Sequence, residues 1–153
     1  ELVSLATETE RTLFFDFMPL DLGLINGFKA RISMYTVPGQ EEYNKSRKLI
    51  LRDVDGIVFV ADSSVVRSEE NQASLKNMMD NLKEYNLTLQ DIPWVLQYNK
   101  RDISNMMTVE RMESELNKMG VPAFEAVALE GKGVFATLKA ITKMMLNRAK
   151  GED

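Results

Sequence analysis

Two short runs limit the fold more than anything else in this chain. Gly56-Ile57-Val58-Phe59-Val60-Ala61 and Ile92-Pro93-Trp94-Val95-Leu96 are apolar almost throughout. Runs of this length without polar alternation suit strands buried on both faces, as in a parallel sheet. Pro93 is tolerated near a strand start. Between the two runs, Leu75, Met78, Met79, Leu82 and Tyr85 recur at helical spacing. Ala123 to Ala128 reads as a third strand. Val109, Met112, Leu116 and Met119 mark a second helix, with Thr108 as its N-cap and Gly120 as its stop. Phe135, Leu138, Ile141 and Met145 mark a terminal one. Many of the ten methionines fall on these stripes, which assigns them to core packing rather than to an adaptable binding surface.

The N-terminal third has a different texture. Leu13 to Met18 reads as a strand closed by Pro19. Asp21 to Gly27 reads as a turn region, with Asn26-Gly27 as a hairpin signal. Phe28 to Tyr35 alternates: Phe28, Ala30, Ile32 and Met34 face one way, and Lys29, Arg31 and Ser33 the other. That is a half-buried strand antiparallel to its predecessor. A helix follows, roughly from Glu41 to Arg52. The expected class is therefore α/β, a mostly parallel sheet with one antiparallel edge hairpin and helices on both faces, in a single domain over residues 1–153. Ligands of such sheets sit at the carboxyl ends of the parallel strands. Gly39, Asp62, Asn99 and Ala128 all follow strand ends.

Composition narrows the chemistry. With no His and no Cys, the chain has no imidazole acid–base group, no disulfide and no thiolate. Its net charge of −4 argues against bulk nucleic-acid binding but not against a small anion held by backbone amides. No apolar stretch reaches membrane-spanning length, so stable membrane insertion is not expected and a cytoplasmic location is the default.

Four segments carry candidate chemistry. The strand through Tyr98 runs into Asn99-Lys100-Arg101-Asp102. This N-K-x-D box is how many P-loop GTPases read guanine. An Asp carboxylate can accept from both the ring N–H and the exocyclic amine of guanine, a donor pair that adenine lacks. The Lys stem can lie along the base while its ammonium stays wet, and the Asn amide can tie neighbouring loops. Thr36-Val37-Pro38-Gly39-Gln40 stands where such proteins read Asp-x-x-Gly-Gln. There the Gly39 amide can donate to a γ-phosphate and Gln40 can orient a water. Thr12, at a strand entrance, can ligate magnesium, and Arg11 beside it can place positive charge on a transferring phosphoryl group. Amides around Val127, Ala128 and Leu129 could cap the guanine O6. Each segment alone also has a plainer reading: a surface tetrad, a turn, a solvated Arg between Glu8 and Glu10, or small residues that permit close packing. Their order along the chain favours one common site.

Together these segments, with Ser46 to Leu51, Val54 to Ser63 and Gly131-Lys132-Gly133-Val134-Phe135, closely resemble the bacterial Ras-like small GTPases of the mutual gliding-motility (MglA) family. Thr36 and Pro38 are typical of that family. The resemblance covers essentially the whole chain. It implies GTP/GDP binding with Mg2+, slow GTP hydrolysis, and control of cell polarity or gliding motility. It also implies polarity or motility effectors, a roadblock-fold activating partner of the MglB kind, and recruitment to a cell pole. By motif, Arg11 resembles an intrinsic arginine finger, Thr12 the switch threonine and Gln40 the water-positioning residue, while Asn99, Lys100 and Asp102 resemble the guanine readers. The family also opens with a strand and a Gly-rich phosphate loop ending in Gly-Lys-Thr. These residues contain no such segment, so the expectation is an N-terminally incomplete domain, without first strand, phosphate loop and first helix, that binds GTP weakly as it stands. The alternative is a nucleotide-free pseudo-GTPase serving as a scaffold or interaction module. A flavodoxin-like or receiver-type domain offers no reason for Pro38-Gly39-Gln40 and the N-K-x-D box in that order.

Overall fold

The structure, a computed structural model, describes residues 3–6, 12–25, 27–37 and 44–151. It divides into two compact units, Glu1–Asp53 and Val54–Asp153.

In the first unit, β1 (Val3–Ala6), β2 (Thr12–Ile25) and β3 (Phe28–Tyr35) form an antiparallel sheet in that order, and α1 covers Asn44–Leu51. Strand β1 falls in a stretch for which the sequence suggests no element. Pro19 does not close β2, which continues through it to Ile25 with Pro19 opposite Ser33. The reason lies in the pairing. Among the described residues β1 accompanies β2 only as far as Phe17. Pro19 pairs only with Ser33 among the described residues, and a strand position that serves one neighbour tolerates a residue without an N–H. The predicted turn region is instead a bulge. Register shifts between Asp21 and Leu24, where Gly23 takes φ +70° and donates its N–H to Asp21 Oδ1 at 2.9 Å. The Asn-Gly signal marks the true hairpin end, since Ile25 pairs with Phe28 across it. Along β3, Ala30, Ile32 and Met34 are half-buried and Lys29, Arg31 and Ser33 exposed, as the alternation requires.

The second unit holds a parallel sheet of β4 (Ile57–Asp62), β5 (Trp94–Asn99) and β6 (Ala123–Glu125), in that order. Helices α2 (Ser68–Lys83), α3 (Val109–Leu116) and α4 (Val134–Lys150) complete it. Strand β5 is central, and Trp94 through Tyr98 are all buried. Neighbouring strand residues point to opposite faces, and here they reach different helices. Tyr98 Oη donates to Glu113 Oε1 of α3 at 2.7 Å, whereas Gln97 Nε2 donates to Thr137 Oγ1 of α4 at 2.8 Å. Helices therefore cover both faces. Strand β4 departs from expectation. Ile57, Phe59 and Ala61 are buried, but Val58 and Val60 are 38% and 52% exposed. Among the described residues β4 is the edge of this sheet, and its face that carries Val58 and Val60 is only partly covered.

The helices follow their stripes with corrections, and Tyr85 and Met119 lie beyond the ends of α2 and α3. Thr108 caps α3 by accepting from Arg111 N at 3.2 Å. The helix then stops at Leu116, before Gly120, because the Asn117 amide bonds both the N–H and the C=O of Val121. Phe135 is 75% exposed instead of lying on the inner face of α4. The Thr137–Gln97 bond and buried Ile141 fix that face, and a residue two positions before Thr137 points roughly the other way. The methionines divide: Met78, Met107 and Met112 are buried, whereas Met79, Met106 and Met119 are exposed. The third strand is also shorter than Ala123 to Ala128. It ends at Glu125, and Ala128–Glu130 form a 3-10 turn.

Candidate nucleotide-base site

Parallel register places the candidate residues on one rim. Asp62 ends β4 opposite Asn99, which ends β5, and Tyr98 lies opposite Glu125 at the end of β6. Backbone bonds then stitch the departing loops together. Ser63 N donates to Asn99 O at 3.0 Å, Ala126 N to Tyr98 O at 2.8 Å, and Arg101 N to Ala126 O at 3.1 Å.

Asn99 joins two of these loops. Its Oδ1 accepts from Lys100 N at 2.8 Å and from Ala128 N at 2.9 Å. Among the described residues its Nδ2 has no acceptor. Lys100 takes φ +64°, a conformation that costs a non-glycine residue about 1 kcal/mol. Its ammonium is not left to water alone, because it meets Asp62 Oδ2 at 2.7 Å. Burial is the largest single effect and works against the charged form of Asp62, but the Lys100 hydrogen bond does not act alone against it. The N–H of Ser64 and the charges of Lys100 and Arg67 add to that, so the carboxyl lies below its ordinary value. Asn71, in α2, grips the backbone of Asp62 from both sides: Oδ1 accepts from Asp62 N at 3.1 Å, and Nδ2 donates to Asp62 O at 2.8 Å.

Asp102 is exposed, and among the described residues its carboxylate accepts no hydrogen bond. Lys132 lies close enough to feel it. The hydrogen bond and charge of Glu130 raise the Lys132 ammonium, burial opposes this, and the charge of Asp102 raises it further. The loop that carries Lys132 is closed by paired bonds between Val127 and Lys132, N to O at 3.0 Å and 3.2 Å. The N–H groups of Val127 and Ala128 are thus both donated within the protein, and the Leu129 side chain is fully exposed. Gly133 makes the loop possible. At φ +74° any Cβ there would lie 2.1 Å from Glu125 O.

The rim therefore presents one uncommitted amide donor at Asn99, one uncommitted carboxylate at Asp102, and a Lys stem between them. Guanine offers N7 as an acceptor and two adjacent N–H donors on its far edge, which match that pair. The phosphate end cannot be assembled in the same way. Arg11, Gly39 and Gln40 lie outside the described residues, and of Thr12 only the strand backbone is described, in the first unit. Among the described residues no group of three or more acidic side chains could hold a metal ion. The structure adds three residues that sequence reasoning did not assign: Asn71, Lys132 and Arg101. An Asn inside a helix and the variable position of a tetrad carry no signal in a single sequence. Lys132 shows only as part of Gly131-Lys132-Gly133.

The sequence profile of the Ras family matches residues 4–147. The chain is similar to "Mutual gliding-motility protein MglA" of Myxococcus xanthus (strain DK1622), with 57% identity over 150 residues that span 98% of this chain and 77% of that protein. It is also similar to human "Ras-related protein Rab-26", with 27% identity over 128 residues that span 82% of this chain and 48% of that protein. Among the described residues, no helix is long and apolar enough to cross a membrane.

Proposed function

We propose that this chain, which belongs to the Ras family, is a GTP/GDP-binding switch with slow intrinsic hydrolysis that regulates bacterial gliding motility and cell polarity. The observation that carries this reading is the pair of unspent groups on one rim, Asn99 Nδ2 and the Asp102 carboxylate, flanking the pinned Lys100. Asp102 accepts from the two donors of guanine, Asn99 donates to N7, and the Lys100 stem covers the ring. The Asp62 carboxylate keeps the ammonium at the rim, so little side-chain freedom is lost when the base arrives.

Hydrolysis belongs to the residues of the first unit. Thr12 would hold Mg2+, the Gly39 amide would donate to the γ-phosphate, Gln40 would orient the attacking water and Arg11 would offset charge on the phosphoryl group. Bound Mg2+ supplies charge neutralisation across the phosphates. The relative named for gliding motility supports the assignment of a motility role. An activating partner of roadblock fold, of the MglB kind, and motility effectors at a cell pole complete the proposal.

The test is the base preference of the intact protein and of Asp102→Asn, by competition of GDP against ADP. The wild type is expected to prefer GDP strongly. Asp102→Asn loses the paired acceptor and with it most of that preference. A variant that keeps full discrimination overturns the assignment of Asp102 as the reader.

A further inference from the structure

Among the described residues the Asp102 carboxylate accepts no hydrogen bond, and the charge of Lys132 nearby does not fix its direction. Its aim comes from the main chain on either side. The residue before it, Arg101, is where that main chain is held. Lys100 and Asp102 are largely exposed, but the Arg101 side chain is only 12% exposed. The left-handed turn at Lys100 sends one member of the tetrad inward while its neighbours stay at the rim.

Once inside, Arg101 holds three segments together. Its N–H donates to Ala126 O at 3.1 Å. Its Nε donates to Glu125 Oε1 at 3.0 Å, at the end of β6. Its Nη1 donates to Met107 O at 2.7 Å, just before α3, and lies 3.9 Å from Met112 Sδ within α3. Two of these contacts reach the strand end and loop whose Ala128 N–H binds Asn99. A guanidinium has donors in a fixed fork and can meet a carboxylate and a carbonyl that lie in different directions. A Lys ammonium on a flexible stem holds neither direction as firmly.

We propose that Arg101 is a positioning residue for base selection. It fixes the main chain that aims Asp102, and it locks the Asn99–Asp102 loop to the Glu125–Leu129 loop as one rigid half-pocket. This deepens the proposed function and rests on Asp102 reading guanine. The consequence is specific. Loosening Arg101 harms the contact made to the exocyclic amine of guanine more than it harms contacts shared with other purines.

The experiment measures affinities of the intact protein for GDP and for inosine diphosphate, which lacks that amine, in the wild type, Arg101→Met and Arg101→Lys. The Met variant keeps the apolar stem and the main-chain bond to Ala126 and removes every side-chain donor. Its GDP-over-IDP ratio is expected to fall about tenfold or more, the usual effect of losing hydrogen bonds to a charged group. The Lys variant is expected to lose part of that ratio. In an Asp102→Asn background, Arg101→Met changes the ratio no further, because both act through the same carboxylate. A residue that only stabilised the fold would weaken GDP and IDP equally and leave the ratio alone. An unchanged ratio in a folded Met variant overturns the proposal. If the Met variant does not fold, an unchanged ratio in the Lys variant does so. A wild type without any preference for GDP over ADP or IDP defeats the functional reading itself, whereas intact preference that the Arg101 variants leave unaltered defeats only the positioning role.

Discussion

Asn99 performs two separable tasks, and substitution can separate them. Its Oδ1 accepts from Lys100 N at 2.8 Å and Ala128 N at 2.9 Å, while among the described residues its Nδ2 has no acceptor. Asn99→Ala removes both loop ties and the donor together. A typical intramolecular hydrogen bond contributes about 0.5–1.5 kcal/mol net. Lys100 and Ala128 are exposed, so water can rescue both N–H groups, which places each bond at the lower end. The strained φ of Lys100 loses one of its restraints as well. The expected destabilisation is about 1–2 kcal/mol, or roughly 2–8 °C in Tm for a chain of this size. Asn99→Asp keeps an acceptor for both amides and removes only the donor. Its new charge faces Asp62, but the Lys100 ammonium stands beside that carboxylate. Stability is therefore expected within about 0.5 kcal/mol of wild type, while guanine-nucleotide affinity falls about tenfold for the lost hydrogen bond. Urea unfolding without nucleotide gives the first quantity, and GDP titration gives the second. The reasoning is refuted if Asn99→Ala unfolds like wild type, or if Asn99→Asp loses as much stability as the Ala variant.

Other outcomes follow from the same geometry. Asp62 has a folded-state carboxyl below its ordinary value of 3.8, so its stabilising contribution is present above that value and lost as pH falls through the folded one. Urea midpoints from pH 5 downward should show a shallower acid-side loss in Asp62→Asn than in wild type, and parallel profiles would contradict the ion pair with Lys100. Gly133→Ala places a methyl 2.1 Å from Glu125 O at a left-handed φ, and thermal unfolding should show a loss of about 2 kcal/mol or more. In the intact protein Gln40→Ala or Arg11→Ala should slow single-turnover GTP hydrolysis and leave GDP affinity unchanged. A parallel fall in affinity would place those residues in binding instead.

Much of the second unit was legible in the sequence because its signals are local. The apolar run at Trp94 to Leu96, the Thr108 cap and the tetrad after β5 each need only neighbours in the chain to be read. What was misread depends on partners that a single sequence does not name. Pro19 reads as a stop, but it sits inside β2, where among the described residues only β3 pairs with it. Val58 and Val60 read as buried, but a continuous apolar run does not say whether both faces find cover. Phe135 fits the helical stripe of α4 by spacing, yet the Gln97–Thr137 bond rotates the inner face away from it. At the candidate site, the proposed readers Asn99, Lys100 and Asp102 were visible as a motif. Their supports were not. Asn71 acts through backbone atoms 9 residues away, and Arg101 through Glu125, 24 residues on. Side chains that act on distant backbone leave no spacing pattern. For that reason the tetrad was legible in the sequence and the residues that hold it in place were not.

The most direct test of the central claim is a structure of the intact protein with GDP bound. The account predicts the guanine edge within hydrogen-bonding distance of both Asp102 carboxylate oxygens, the Lys100 stem along the ring and Asn99 Nδ2 on N7. A base seated elsewhere, with Asp102 still open to solvent, would contradict it.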